Sequence, residues 1–159
     1  MRTILFRGQT RRKGEKVKLD GTPVDSNWVY GGVSAITEDK EGDFSIIYQI
    51  EPMIEKFPVY TDTVSQYTGL KDKNGKKIYE GDIVKYQFDN DDCPFPNKHT
   101  EKIIGRVFFS DFRASFSITA GRNGSASMNN DLFKYVQNGN RVEVIGNIYD
   151  NPELLKESE

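Results

Sequence analysis

The chain has one cysteine, Cys93, and one histidine, His99, among 159 residues. A lone cysteine excludes an internal disulfide, and the two together are too few ligands for a Cys/His zinc site. No apolar run approaches the roughly 20 residues that cross a bilayer as a helix. The opening Met1-Arg2-Thr3-Ile4-Leu5-Phe6-Arg7 reaches Gly8 without a long apolar stretch and then meets Arg11-Arg12-Lys13, unlike a secretory leader. Motifs for chemistry are scarce as well. A nucleophile needs a base held beside it, whereas Cys93 and His99 lie in a polar loop interrupted by Pro94 and Pro96. The acidic run Asp89-Asn90-Asp91-Asp92 begins like a calcium loop but has Pro94 and Thr100 where glycine and glutamate are required. Gly121-Arg122-Asn123-Gly124 lacks the Gly-Lys-Ser/Thr ending of a phosphate loop. Glu80 and Asp82 flank Gly81 as turn residues. The expectation is a protein with no enzymatic activity, no cofactor, no metal and no membrane segment.

What is present suits a packed domain. Hydrophobic residues make up 36% and aromatics 12%, enough for a core and too many for wholesale disorder. The formal net charge of -2 hides separated blocks. Residues 1–18 carry seven cations (Arg2, Arg7, Arg11, Arg12, Lys13, Lys16, Lys18) against Glu15. Lys71 to Lys77 holds four lysines against Asp72. Acid is concentrated at Glu38 to Asp43, at Asp89 to Asp92 and after Asp150. Blocks of this kind are solvated loops, or they steer a charged partner or a second subunit.

Patterning favours strands. β-branched and aromatic residues fill the ordered-looking stretches, with Gly, Asn and Asp between them. Ile103 to Phe108 and Phe112 to Thr119 read as a hairpin turning at Ser110-Asp111, with Phe112, Ala114, Phe116 and Ile118 on one face. Gly105 and Gly146 are candidate bends. Ile83 to Phe88 reads as a strand in which Val84, Tyr86 and Phe88 alternate with Lys85 and Gln87. Phe133 to Gln137 and Asn140 to Val144 flank Asn138-Gly139, which predicts a second hairpin pairing Tyr135 with Val142, Phe133 with Val144 and Lys134 with Glu143. Arg2 to Arg7, Trp28 to Tyr30 and Phe44 to Ile50 are candidate strands of a less regular first part, broken at Gly21-Thr22-Pro23 and Gly31-Gly32. Glu51 to Lys56 suits one helical turn, and Asn151-Pro152-Glu153 opens a short terminal helix.

Two segments carry a family likeness. Gln66-Tyr67-Thr68-Gly69-Leu70-Lys71-Asp72-Lys73-Asn74-Gly75-Lys76-Lys77-Ile78-Tyr79-Glu80-Gly81-Asp82-Ile83-Val84 and Val144-Ile145-Gly146-Asn147-Ile148-Tyr149-Asp150-Asn151-Pro152-Glu153-Leu154-Leu155 together resemble the YopX family of phage and prophage proteins. The strand at Arg2 to Arg7 fits the start of that family. The resemblance implies an SH3-like small β-barrel over 66–159 after a variable α+β region over 1–65. It implies a phage or prophage origin, hence a bacterial host cytoplasm. It implies no activity, since the family is one of unknown function without catalytic residues to carry over.

The functional expectation is a mainly β accessory protein that binds another protein or itself. The alternative is nucleic-acid binding, in which small barrels use aromatics flanked by cations. Its candidate residues are Arg7, Arg11, Arg12, Lys13, Lys71 and Lys73, with Tyr67 and Tyr79 as the rings. A sequence pI near 5.6 weighs against it.

Overall fold

A computed structural model describes residues 4–10, 18–19, 22–23, 27–39, 42–49, 55–87, 102–119, 131–137 and 141–155. The chain forms two compact units, Met1–Tyr67 and Thr68–Glu159.

Strands build the first unit. They are β1 (Phe6–Gln9), the two-residue pair β2 (Lys18–Leu19) and β3 (Thr22–Pro23), β4 (Trp28–Asp39), β5 (Gly42–Gln49), β6 (Glu55–Tyr60) and the start of β7 (Ser65–Lys71). The main sheet runs β6-β5-β4-β1-β7, antiparallel at each pairing. The expected break at Gly31-Gly32 lies instead inside the long strand β4. A Cβ on Gly31 would fall 1.9 Å from the Tyr48 carbonyl oxygen, so glycine there permits a close backbone approach. One extra β4 residue between Val33 and Ile36 bulges against β5 and bends the sheet. The sheet curls until Thr10, just past β1, bridges Val59 of β6. Thr63 fixes the curl, its Oγ1 accepting from Gln9 N (2.8 Å) while donating to the Tyr60 carbonyl (2.7 Å). Val29, Ile47, Phe57 and Val59 form the core beneath. The helical turn expected at Glu51 to Lys56 falls partly outside the described residues, and Glu55 and Lys56 open β6. The described part of this unit is thus regular β structure with one 3-10 turn, Thr61–Thr63, rather than α+β.

The second unit holds the end of β7, β8 (Lys77–Tyr79), β9 (Asp82–Gln87), β10 (Lys102–Ser110), β11 (Ser115–Ile118), α1 (Leu132–Gln137), β12 (Glu143–Asn147) and a 3-10 turn at Pro152–Leu155. Its antiparallel sheet runs β11-β10-β9-β12. Val84, Tyr86, Val107, Phe116, Ile118 and Val142 bury one face, closed over by Leu132 and Tyr135 of α1. Mainly β is therefore correct, but among the described residues β11 and β12 do not pair and the sheet does not close into a barrel.

The predicted 133–144 hairpin is replaced by α1. Asp131 Oδ1 accepts from Phe133 N at 2.9 Å, the bond of a helix N-cap. Leu132 and Tyr135, three residues apart, then share the buried face. The Tyr135 ring meets Tyr86 edge-on at 5.0 Å. Asn138-Gly139 lies outside the described residues. Glu143 meets Lys73 rather than Lys134.

The other hairpin forms, with its turn shifted. β10 and β11 pair from Val107↔Ile118 to Ser110↔Ser115, leaving Asp111 to Ala114 as the turn. Phe112 is consequently in the turn rather than on the strand face. Gly105 is no bulge, since its register against β9 is regular. A Cβ there would stand 2.2 Å from the Thr119 carbonyl oxygen. The bulge comes at Ile145, where Val144 faces Val84 and Gly146 faces Ile83. The terminal helix is a 3-10 turn, with Leu154 N donating to the Asn151 carbonyl.

Candidate binding surfaces

The two segments that carried the family likeness join one another. Asp72 is 2% exposed. Its Oδ1 accepts from Asn74 N (2.8 Å) and Lys76 N (2.9 Å), closing the turn that Gly75 completes at φ 81°. Its Oδ2 accepts from Val144 N at 3.0 Å. Lys73 N donates to the Val142 carbonyl, so this turn lies along β12. A second turn repeats the arrangement. Asp82 Oδ2 accepts from Tyr79 N at 2.7 Å, and Ile148 N donates to the Gly81 carbonyl. Asn147 Oδ1 in turn accepts from Tyr149 N and Asp150 N. The acids and amides of both segments thus bind backbone groups and hold turns, the work Asx residues do.

Among the described residues no group of three or more His, Cys, Asp or Glu side chains is placed to hold a metal. Nor, among the described residues, is any helix long and apolar enough to cross a membrane. Cys93, His99, the acidic run 89–92 and the glycine-rich 121–124 lie outside the described residues.

Two exposed features of the second unit stand out among the described residues. The first is the tip of the β10–β11 hairpin. Phe112 is 96% exposed and Phe109 42%, with Phe109 edge-on to Phe116 at 5.3 Å. Arg113 N and Ala114 N donate to the carbonyls of Ser110 and Asp111, and Ala114 adopts a positive φ of 50°. The tip therefore presents its ring from a turn that hydrogen bonds have already shaped.

The second is the outer face of the sheet. Strand alternation puts Lys85 and Gln87 of β9 opposite the core side, and the register adds Lys102, Ile104 and Arg106 of β10 and Glu143 of β12. Lys73 reaches this face from its turn and pairs with Glu143. The Glu143 carboxyl is held below its ordinary pKa, first by the bond to Lys73 and further by the charges of Lys73, Lys102 and Lys85, with desolvation opposing them. Lys73, Lys85 and Lys102 thus act on one point.

The nucleic-acid candidates that the sequence offers differ in kind. Arg7 is 6% exposed, its guanidinium carbon 4.7 Å from the centre of the Trp28 ring. Tyr67 and Tyr79 are buried. Lys71 and Lys73 are exposed at the start of the Asp72 turn, with Lys73 in its ion pair. Arg11, Arg12 and Lys13 lie outside the described residues. Lys85, Lys102 and Arg106 are not among those candidates. Lys85 was visible in the alternation of β9, whereas placing Lys102 and Arg106 beside it required the register.

The crystal structure of protein EF1440 from Enterococcus faecalis is similar to this chain over 96% of its residues and 98% of the other chain, at 22% identity and a TM-score of 0.46. No curated protein matches the sequence. The model of the YopX protein family matches residues 22–156, a span holding both turn-bearing segments, and the chain therefore belongs to the YopX family.

Proposed function

We propose that this YopX-family chain is a non-enzymatic accessory protein, encoded by a phage or prophage and working in the host cytoplasm by binding another protein or a second copy of itself. The observation that carries this reading is Phe112, a 96% exposed ring at the tip of a hydrogen-bonded hairpin. Aromatic anchors in preorganised loops supply much of the energy of protein interfaces. The small barrel that the family resemblance implies fits the same reading, with α1 covering the core side of a sheet that no strand closes among the described residues.

Light scattering over a concentration series, with a pull-down from host lysate, tests it. Burying a Phe side chain is worth about 1.5–3 kcal/mol, so Phe112→Ser should weaken the association roughly ten- to a hundredfold. A strict monomer that captures nothing, or an association indifferent to Phe112→Ser, overturns the proposal.

A further inference from the structure

We propose that the outer face of the β9–β10–β12 sheet binds the phosphate backbone of a nucleic acid. This surface is separate from the Phe112 tip, and its role does not rest on the protein-binding reading. Lys102 and Arg106 are four residues apart on β10, which puts them on one side of the strand and about 13 Å apart along it. Lys85 stands between them on the adjacent strand, opposite Ile104, about 4.8 Å to the side. The three therefore form a zigzag row with neighbouring Cα atoms about 8 Å apart. Lys102 and Arg106 are exposed and Lys85 is half-buried.

The local charge points the same way. Among the described residues of β9, β10, β12 and the Asp72 turn, Lys73, Lys85, Lys102 and Arg106 share this face with one acid, Glu143, a local excess of +3 on a chain whose net charge is -2. A further described acid, Glu153, is on the Pro152–Leu155 turn beside β10. Glu143 pairs with Lys73 and its field also reaches Lys85 and Lys102, so one acid is shared among these lysines and the row keeps an excess of cations. A concentrated cationic face on an acidic protein selects a polyanion by release of its counterions. The cations follow a line along neighbouring strands, matching a ligand that carries one charge at each nucleotide. Ile104 stands between Lys102 and Arg106, with Gln87 opposite Lys102 and the buried Ile83 opposite Arg106, and the half-buried Phe108 is the next residue on this side of β10. The contacts of the cations themselves are to phosphate and carry no sequence preference.

Fluorescence anisotropy of the full chain with labelled oligodeoxythymidine of about 20 nucleotides tests the proposal. Three phosphate contacts at about -0.7 each give a log–log salt slope near -2, so going from 50 to 200 mM salt should weaken binding about 18-fold. Lys85→Glu with Lys102→Glu should remove most binding at 50 mM salt and flatten the slope to about -1 or less. Lys134→Glu makes the same charge change on α1 and should leave both unaltered. A thermal melt like the parent's shows that the double variant is folded, and where it is not, Lys85→Gln with Lys102→Gln replaces it. Absence of binding at 50 mM salt, equal loss in Lys134→Glu, or displacement of the probe by polyglutamate as readily as by unlabelled oligonucleotide overturns the proposal. Phe112→Ser should leave the salt slope unchanged, so this surface and the hairpin tip fail or stand separately.

Discussion

Replacing Asp72 should unfasten the second unit at a single point. The carboxylate receives three backbone N–H groups, two within its own turn and one from Val144 of β12. In Asp72→Ala the Val144 amide, at a partly buried site, keeps its donor and loses its acceptor, which costs about 1–3 kcal/mol. Asn74 and Lys76 are exposed, so water replaces the carboxylate there and each loss is about 0.5–1.5 kcal/mol. Together these give about 2–6 kcal/mol, a large part of the roughly 5–15 kcal/mol that holds a domain folded. For a unit of this size each kcal/mol lowers Tm by about 4–8 °C, so a drop of about 10 °C or more is expected. Asp72→Asn separates the two roles. Its carbonyl oxygen still serves the turn, while its amide nitrogen sets a donor against the Val144 N–H, so most of the β12 share is lost alone. Thermal unfolding by circular dichroism measures the total, and hydrogen exchange at the Val144 amide reads the bond directly. A shift below about 3 °C in Asp72→Ala, or unchanged protection of Val144, refutes the reasoning.

Two further outcomes follow from the packing. Gly105→Ala places a methyl 2.2 Å from the Thr119 carbonyl oxygen and 2.7 Å from Ile118 Cγ2, and neither backbone oxygen nor packed strand yields cheaply, so a loss of about 1–3 kcal/mol is expected in a denaturant titration. Gly69→Ala is its reference, since a methyl there meets no atom and only the positive φ of 87° opposes it. Burial, reinforced by the neighbouring Tyr135, pushes the Tyr86 phenol well above its ordinary value of 10.0. The folded state thus keeps a proton that the unfolded chain releases, so this contribution is intact below about pH 10 and is lost as pH rises beyond it. Ultraviolet titration should show a late tyrosine transition coinciding with unfolding, reduced in Tyr86→Phe to the share of Tyr67, whose phenol burial also raises.

Much of the second unit was legible because its strands obey a period of two. Phe116 and Ile118 face the core as the alternation requires, and Gly105 sits where backbones come close. The error over Phe133 to Gln137 has a definite source. Phe, Tyr and Val favour strands, the segment is too short to display a helical period, and Asn-Gly is the strongest hairpin signal a sequence offers. Leu132 and the cap Asp131 decide for helix, and both stand just before the segment that looked like a strand. In the first unit Gly31-Gly32 looked like an interruption because the reason for glycine, the Tyr48 carbonyl, is a residue from the next strand. The cationic face was half legible. Lys85 shows in its own strand, but its neighbours arrive from β10 and β12 through registers that no local pattern encodes.

β9 lies between β10, the next strand in the chain, and β12, which begins at Glu143. On the ribosome the hairpin side of β9 is available as soon as β10 emerges, whereas its other edge stays open until Glu143 to Asn147 have followed. The Asp72 carboxylate also waits for an amide 72 positions downstream. Folding of this unit therefore waits on β12, and a nascent chain stalled before Glu143 presents an uncovered strand to whatever lies nearby.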